Sequence, residues 1–282
     1  LTVMGHDTVR SLMAQCDLPR LEARMLLEHV LERSRSWLLA HDTDALPADR
    51  VERFRLMARR RVAGEPMAYL VGEREFMGHV FALTPDVLIP RPDTEVLVET
   101  ALEALARCAS DARVLDLGTG SGAIAVSIAL ALPSAQVTAA DISAAALDVA
   151  RGNAHRLGAT NVQCLQSDWY DALPEGSRFD VIVSNPPYIA QDDPHLDRGD
   201  LRFEPRQALT DEGDGLTDLR RIAEGASHHL RQGGVLWMEH GWHQAPAVRT
   251  MLAALGFIEV ASRQDLSGIE RISGGRWGRA YN

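Results

Sequence analysis

No lysine occurs anywhere in the 282 residues, so all 29 basic side chains are arginine. That excludes a Schiff-base anchor for pyridoxal phosphate and the phosphate-gripping lysine of a nucleotide-triphosphate loop. Cysteine is scarce: Cys16, Cys108 and Cys164 lie far apart without a Cys-x-x-Cys pair. Neither a disulfide framework nor a zinc site fits that spacing, and a reducing cytoplasm is the expected setting. No apolar run approaches the roughly 20 residues needed to cross a bilayer, so no membrane association is expected. Asp7, Asp17, Glu22 and Glu28 break any signal-peptide pattern in the first thirty residues. Positive charge is also in deficit, with a net charge of −10. An extended phosphate-neutralising surface is therefore disfavoured, and no direct nucleic-acid partner is expected. Arg53-Phe54-Arg55 and Arg59-Arg60-Arg61 alternate with apolar positions on a helical pattern and read as a solvated face.

What is present divides into two parts. Residues 1–73 read as helices only: Leu21, Met25, Leu26, Val30 and Leu31 recur at helical spacing, and Pro47 opens a segment with Val51, Phe54, Ala58 and Val62 on one side. This small domain carries no catalytic constellation, and recognition of a substrate is its expected role. Residues 74–90 read as a linking β-hairpin, with extended runs at Phe76–Phe81 and Val87–Ile89. From 91 to 282 helices and short apolar strands alternate. The strands are expected at Val114–Leu117, Val137–Ala140, Val162–Gln166, Val181–Ser184, Val235–Met238, Phe257–Val260 and near Arg271–Ser273. Such alternation implies an α/β domain with a Rossmann-like, mostly parallel seven-stranded sheet covered on both faces. Ligands of such sheets bind beyond the carboxyl ends of the strands.

The run Asp116-Leu117-Gly118-Thr119-Gly120-Ser121-Gly122 follows one strand and opens a helix. Glycines there permit a sharp turn and a close approach of ligand to backbone. Gly118, Gly120 and Ala123 also satisfy the dinucleotide pattern, so an NAD-dependent oxidoreductase stays open. Asp116 places negative charge by the loop, which repels a pyrophosphate and suits the cationic groups of S-adenosyl-L-methionine. Asp141, at the end of the next strand, can accept both hydroxyls of a ribose. Asp168-Trp169, at the end of the third, offers an acceptor for an adenine amino group and an indole to cover its ring.

The most informative motif is Asn185-Pro186-Pro187-Tyr188, directly after an apolar strand. Consecutive prolines fix φ, lack N–H groups and force the preceding residues into extended conformations. The result is a rigid step that can aim the Asn185 side-chain oxygen and the Pro186 carbonyl at one point. Two acceptors there can hold both hydrogens of a planar –NH2 group, with Tyr188 lying on its face. Such a nitrogen is a poor nucleophile because its lone pair is delocalised. Holding it against an electrophilic methyl group supplies the positioning and charge stabilisation it needs. No strong base is required, since the nitrogen becomes acidic once alkylated.

With these residues in place, the chain resembles the HemK-type release-factor glutamine methyltransferases, that is, protein-(glutamine-N5) methyltransferases of class I fold. The likeness runs from about Gly64 to Arg276 and more loosely over the helical N-terminus. It rests on Gly72-Glu73-Arg74-Glu75-Phe76, Ile89-Pro90-Arg91-Pro92-Asp93-Thr94-Glu95, Asp116–Gly122, Asn185–Tyr188 and Phe203-Glu204-Pro205-Arg206-Gln207-Ala208-Leu209. The resemblance implies methyl transfer from S-adenosyl-L-methionine, releasing S-adenosyl-L-homocysteine. The acceptor would be the glutamine of the Gly-Gly-Gln motif in class I peptide-chain release factors, a modification that modulates translation termination. It implies that Gly118–Gly122, Asp141, Trp169 and Asn185 bind the cofactor and Asn185–Tyr188 the glutamine. Phe76, Arg91, Thr94 and Glu95 would line the same cavity. A monomer is the working expectation. Similar Asn-Pro-Pro-Tyr steps serve enzymes that methylate exocyclic amines of nucleic-acid bases, so that alternative also stays open.

Other candidates carry less. His240 and His243 flank Gly241-Trp242 without an evident third ligand, so no metal site is expected. Ser121 does not sit in a Gly-x-Ser-x-Gly elbow, which leaves a hydrolase triad without support.

Overall fold

The computed structural model describes residues 6–108 and 111–278, and the chain divides into two compact units, 1–72 and 73–282.

The first unit is helical, with α1 (Val9–Gln15), α2 (Arg20–Leu31), α3 (Arg35–Ala40), α4 (Ala48–Val62) and α5 (Met67–Val71). Thr8 caps α1 by accepting from the Ser11 backbone, and the Ser11 hydroxyl returns to the Thr8 backbone. Prolines at positions 19, 47 and 66 stand at the N-caps of α2, α4 and α5, where a missing N–H costs nothing. The buried face of α2 is Ala23, Leu26, Leu27 and Val30, a spacing of three and four residues. Leu21, Met25 and Val62, expected on apolar faces, are instead exposed: the buried faces are Ala23, Leu26, Leu27 and Val30 on α2 and Val51, Phe54, Met57 and Ala58 on α4.

The second unit opens with a hairpin of β1 (Glu73–Phe76) and β2 (His79–Ala82). Met77 and Gly78 both have positive φ, the torsions of a two-residue turn that matches strand twist. The expected run Phe76–Phe81 is thus split by a tight turn. The second expected strand, Val87–Ile89, is irregular backbone: its Ile89 N–H donates to the Glu204 side chain at 3.0 Å, and Pro90 has no N–H for a ladder. Phe76 and Phe81 are fully buried against the main core, so the hairpin packs as part of this unit.

A seven-stranded sheet follows, in the order β5-β4-β3-β6-β7-β9-β8. Its strands are β3 (Arg113–Leu117), β4 (Gln136–Asp141), β5 (Val162–Gln166), β6 (Phe179–Ser184), β7 (Leu230–Glu239), β8 (Phe257–Gln264) and β9 (Glu270–Trp277). All neighbours pair in parallel except β7 with β9 and β8 with β9. Helices α6 (Glu95–Leu105), α7 (Ala123–Ala131), α8 (Ala144–Leu157), α9 (Thr217–His229) and α10 (Ala245–Ala254) cover it. Two apolar clusters form, each uniting residues of the sheet with helices. The seven strands expected for the sheet are present, and β7 is longer than the expected Val235–Met238, beginning at Leu230 and running through Gly233-Gly234.

The chain starts in the middle of this sheet at β3, moves outward to β5, and then returns to place β6 on the other side of β3. That reversal opens a crevice between the carboxyl ends of β3 and β6. Leu117 is paired with Ser184 across it, and the Ser184 hydroxyl donates to the Leu117 carbonyl at 2.7 Å. The residues that follow on each strand are Gly118 and Asn185. The glycine loop and the Asn-Pro-Pro-Tyr step are therefore neighbours by topology.

Candidate active site

Above this crevice lies a cavity of about 320 Å³, within the usual range for a small-molecule site. Its floor is the glycine loop. Gly118, Gly120 and Gly122 have φ of +70°, +54° and +80°, torsions that side chains rarely adopt. A Cβ on Gly122 would stand 3.1 Å from the Ala150 Cβ, so loop and α8 approach as only glycine allows. The loop is stitched to β4: the Thr119 N–H donates to the Ala140 carbonyl, and the Gly120 N–H to Asp141 Oδ2 at 2.8 Å. From the other side Asn153, fully buried, donates to the carbonyls of Ser121 and Ala82 and ties loop to hairpin.

Asp141 lines the cavity, its two oxygens also held by the N–H groups of Gly120 and Ser143. Burial raises its pKa, opposed by those backbone donors. Each carboxylate oxygen keeps a lone pair for a ligand hydroxyl. Asp168 and Trp169 line the opposite wall, where the Arg221 guanidinium donates to Asp168 at 3.2 Å. Trp169 has φ +48°, and a Cβ on Gly118 would lie 3.5 Å from its indole. Asp218 and Arg221, which sequence reasoning missed, also border this wall. They come from the start of α9, and nothing local in the sequence marks them as neighbours of Trp169.

Asp116 is placed differently from expectation. It lies beneath the loop rather than on the cavity wall and is fully buried, with Oδ2 accepting from the Thr119 hydroxyl at 2.6 Å. Burial pushes its pKa up to about 7, opposed by the Thr119 hydroxyl and the Ala125 backbone, and Oδ1 lacks a well-formed hydrogen bond among the described residues. Gly122 likewise lies under the loop, while Gly118, Thr119, Gly120 and Ser121 border the cavity.

The acceptor side is built from segments distant in sequence. Asn185, Pro187, Arg91, Thr94 and Phe76 border the same cavity. The Asn185 side-chain N–H donates to the Thr94 hydroxyl at 3.3 Å, which directs Asn185 Oδ1 away from Thr94. Arg91 is gripped by the buried carboxylate of Glu204, which also accepts the Ile89 N–H. Glu204 belongs to the Phe203–Leu209 stretch, and Gln207 and Ala208 of that stretch border the cavity too.

Three expected positions stand elsewhere. Pro186 is buried and does not border the cavity, although its carbonyl accepts no hydrogen bond from a described residue. Tyr188 turns away: its hydroxyl donates to Glu239 Oε1 at 3.1 Å, and its backbone carbonyl accepts from Gln244 at 3.0 Å. Burial raises its pKa, helped by the adjacent Glu239 charge. Glu95 accepts the Met77 N–H at 2.9 Å and so pins the hairpin turn to α6. No group of His, Cys, Asp and Glu able to hold a metal occurs among the described residues. His240 is buried and hydrogen-bonded to Ser273.

The electrostatics of the cavity discriminate between ligands. Four aspartates and two arginines border it, and both arginines are already paired, Arg91 with Glu204 and Arg221 with Asp168. A pyrophosphate would meet surplus negative charge, whereas a cationic ligand is favoured there. The Trp169 indole, the strand-end carboxylate of Asp141 and the glycine backbone all line this one cavity.

Comparison with known proteins agrees with this architecture. Residues 92–217 match the family model "Methyltransferase small domain" and residues 7–72 the "PrmC N-terminal domain". The release factor glutamine methyltransferase of Bordetella pertussis is 67% identical over 267 residues, covering 95% of this chain and 98% of that protein. Its counterpart in Burkholderia pseudomallei is 56% identical over 274 residues, covering 95% and 96%. A methyltransferase from Pyrococcus furiosus shares the fold with a TM-score of 0.54 at 20% identity, covering 78% of this chain and 97% of that one. The chain belongs to the release factor glutamine methyltransferase family.

Proposed function

We propose that this enzyme transfers a methyl group from S-adenosyl-L-methionine to the side-chain amide nitrogen of the glutamine in the Gly-Gly-Gln motif of class I release factors. One observation carries the reading: Asn185 borders the cavity of the glycine loop, its N–H committed to Thr94 and its oxygen left as an acceptor.

The chain's residues fit the cofactor. Asp141 takes the ribose hydroxyls, Trp169 and Asp168 the adenine, and the backbone of Gly118–Ser121 the remainder. When bound, S-adenosyl-L-methionine supplies an electrophilic methyl on a sulfonium. On the acceptor side, Asn185 Oδ1 takes one hydrogen of the glutamine –NH2, and the Pro186 carbonyl, set back from the cavity lining but without a hydrogen bond from a described residue, is the candidate for the other. Both acceptors enrich the nitrogen as positive charge develops on it. Pro187 and Phe76 give the side chain apolar walls, and Tyr188 holds the step in place from behind. A glutamate at the same position is rejected, because its carboxylate brings no hydrogens to these acceptors.

The helical unit is assigned to recognition of the protein substrate, supported by its exposed Leu21, Leu39 and Leu56 and by the lack of a metal-ligating cluster among its described residues. No helix among the described residues is long and apolar enough to cross a membrane. A reducing cytoplasm, where translation factors work, suits the three free cysteines.

The test is transfer of labelled methyl to a purified release factor, to its Gln→Ala variant in Gly-Gly-Gln, and to RNA and DNA. Label is expected on the first alone. Label on nucleic acid, or equal label on the Ala variant, overturns the assignment.

A further inference from the structure

Gln244 stands at the N-cap of α10, 4% exposed, and does not border the cavity. Its side chain is nonetheless fully engaged. Nε2 donates to the Tyr188 carbonyl at 3.0 Å and to the Gly215 carbonyl at 3.1 Å, and Oε1 accepts the Gly241 N–H at 2.7 Å. A primary amide offers two hydrogens and one oxygen, and each meets its complement here. Turned over, it would set oxygen against two carbonyls and –NH2 against an N–H, so its orientation is fixed. The backbone beneath it is fixed as well, because the Gln244 N–H donates to the Gly241 carbonyl at 2.9 Å.

The Asn-Pro-Pro-Tyr step needs such an anchor for a reason written in its own residues. Pro186 and Pro187 have no N–H, so two successive positions offer no donor to hold the backbone. The proposed chemistry reserves the Pro186 carbonyl for the substrate. The step must therefore be gripped at its flanks. Upstream, Ser184 ends β6 in register with Leu117. Downstream, Gln244 takes the Tyr188 carbonyl, and the Ile189 N–H donates to the Leu209 carbonyl at 3.0 Å. Gly215 shares this clamp because it has no side chain, since a Cβ there would clash with the Tyr188 carbonyl and Gln244 Nε2.

We propose that Gln244 is a positioning residue for methyl transfer: by tying the Tyr188 carbonyl to the Gly215 loop and the Gly241 turn, it sets where Asn185 and Pro186 present their oxygens. The inference rests on the proposed role of the Asn-Pro-Pro-Tyr step and extends it to an amide outside the cavity. With φ locked at both prolines, a shift at Tyr188 is passed on towards Asn185 rather than absorbed. Misplacing a reacting group by about 1 Å can cost about a hundredfold in rate.

The experiment compares wild type with Gln244→Met, Gln244→Glu, Gly215→Ala and the double variant Gln244→Met/Gly215→Ala. Methionine keeps the length of the side chain without its donors, and an ionised glutamate keeps only the acceptor for Gly241. Measured are kcat and KM on a release factor, affinity for S-adenosyl-L-homocysteine, and exchange of the Ile189 amide hydrogen by NMR. Gln244→Met is expected to lower kcat roughly ten- to a hundredfold, with KM and product-nucleoside affinity within about twofold. The Ile189 amide should exchange about tenfold faster or more. Gln244→Glu should be impaired at least as much, because its carboxylate faces two carbonyls. The double variant should be no slower than the worse single variant, since both changes break one clamp. Wild-type kcat in Gln244→Met overturns the inference, and so does an equal loss of cofactor affinity, which marks general loosening of the fold. If Gln244→Met does not fold, Gln244→Glu is read by the same two criteria. A wild type that leaves the release factor unlabelled would overturn the functional reading instead, and Ile189 exchange would still decide whether Gln244 holds the step.

Discussion

The two halves of the site are made by opposite means. The cofactor side is backbone: three glycines at positive φ, a loop stitched to β4 by N–H groups, and one carboxylate at a strand end. The acceptor side is made of side-chain pairs, Asn185 held by Thr94 and Tyr188 by Glu239. Backbone geometry is set as soon as the sheet forms, so the first half tolerates side-chain change and resists torsional change. The second half should behave the other way round, with single functional groups carrying large effects on turnover and little on cofactor binding.

The largest expected effect tests that contrast directly. Asn185→Ala should lower kcat by roughly 10²–10³-fold, the scale of losing one oriented donor or acceptor at a reacting centre. Cofactor affinity should fall far less, measured by calorimetry with S-adenosyl-L-homocysteine. A variant that loses cofactor and turnover equally would mean that the two halves are not separable.

A pair of glycines sharpens the comparison. Gly122 and Gly215 both have φ +80°, and a Cβ would crowd Ala150 in one case and clash with the Tyr188 carbonyl in the other. Both alanine variants bear left-handed strain of about 1–3 kcal/mol. Gly122→Ala should raise the dissociation constant for the product nucleoside about tenfold or more, by displacing the loop from α8. Gly215→Ala should displace the Asn-Pro-Pro-Tyr step, which Gln244 clamps to the Gly215 and Tyr188 carbonyls, and so should lower kcat by a similar factor with cofactor affinity retained. Identical phenotypes from the two would break the distinction.

The same contrast explains what the sequence disclosed. The glycine loop occupies seven successive residues and announces itself through local torsional demand, and Asp141 follows from its place at a strand end. The strand alternation that sets the sheet is likewise a local pattern. Asn185 was legible because two prolines make a rigid step in one short stretch. Its supports were not legible in the residues' own pattern, and only the resemblance brought Thr94 and Arg91 to the cavity: Thr94 lies 91 positions away, Glu239 is 51 from Tyr188, and Glu204 is 113 from Arg91. No periodicity links residues so far apart, and only the reversal of strand order brings them together. Tyr188 was expected on the substrate because aromatic residues beside a reactive step commonly cover it. A buried carboxylate behind the step claims its hydroxyl instead. Asp116 was assigned to the ligand on its charge, but its alternation on β3 points it into the core, where Thr119 satisfies one oxygen.

The smallest expected effect is on stability against pH, and it again separates the halves, since each buries one acid. Burial pushes Asp116 from an ordinary 3.8, and Glu239 from an ordinary 4.5, up to about 7. In each case the folded pKa exceeds the unfolded one, so the folded state holds more protons between those values. Stability contributed by the neutral acids is present below about pH 4 and declines as pH rises toward about 7. The melting temperature should therefore fall between pH 5 and pH 7.5, by roughly 2–4 °C for each kcal/mol lost. Asp116→Asn and Glu239→Gln should each flatten part of that decline, because a neutral amide has no charge to bury. The two contributions should add, as the groups sit in separate hydrogen-bond networks and share no partner. An unchanged slope in Asp116→Asn alone would show that the acid under the loop stays ionised, leaving the acceptor side as the pH-sensitive half.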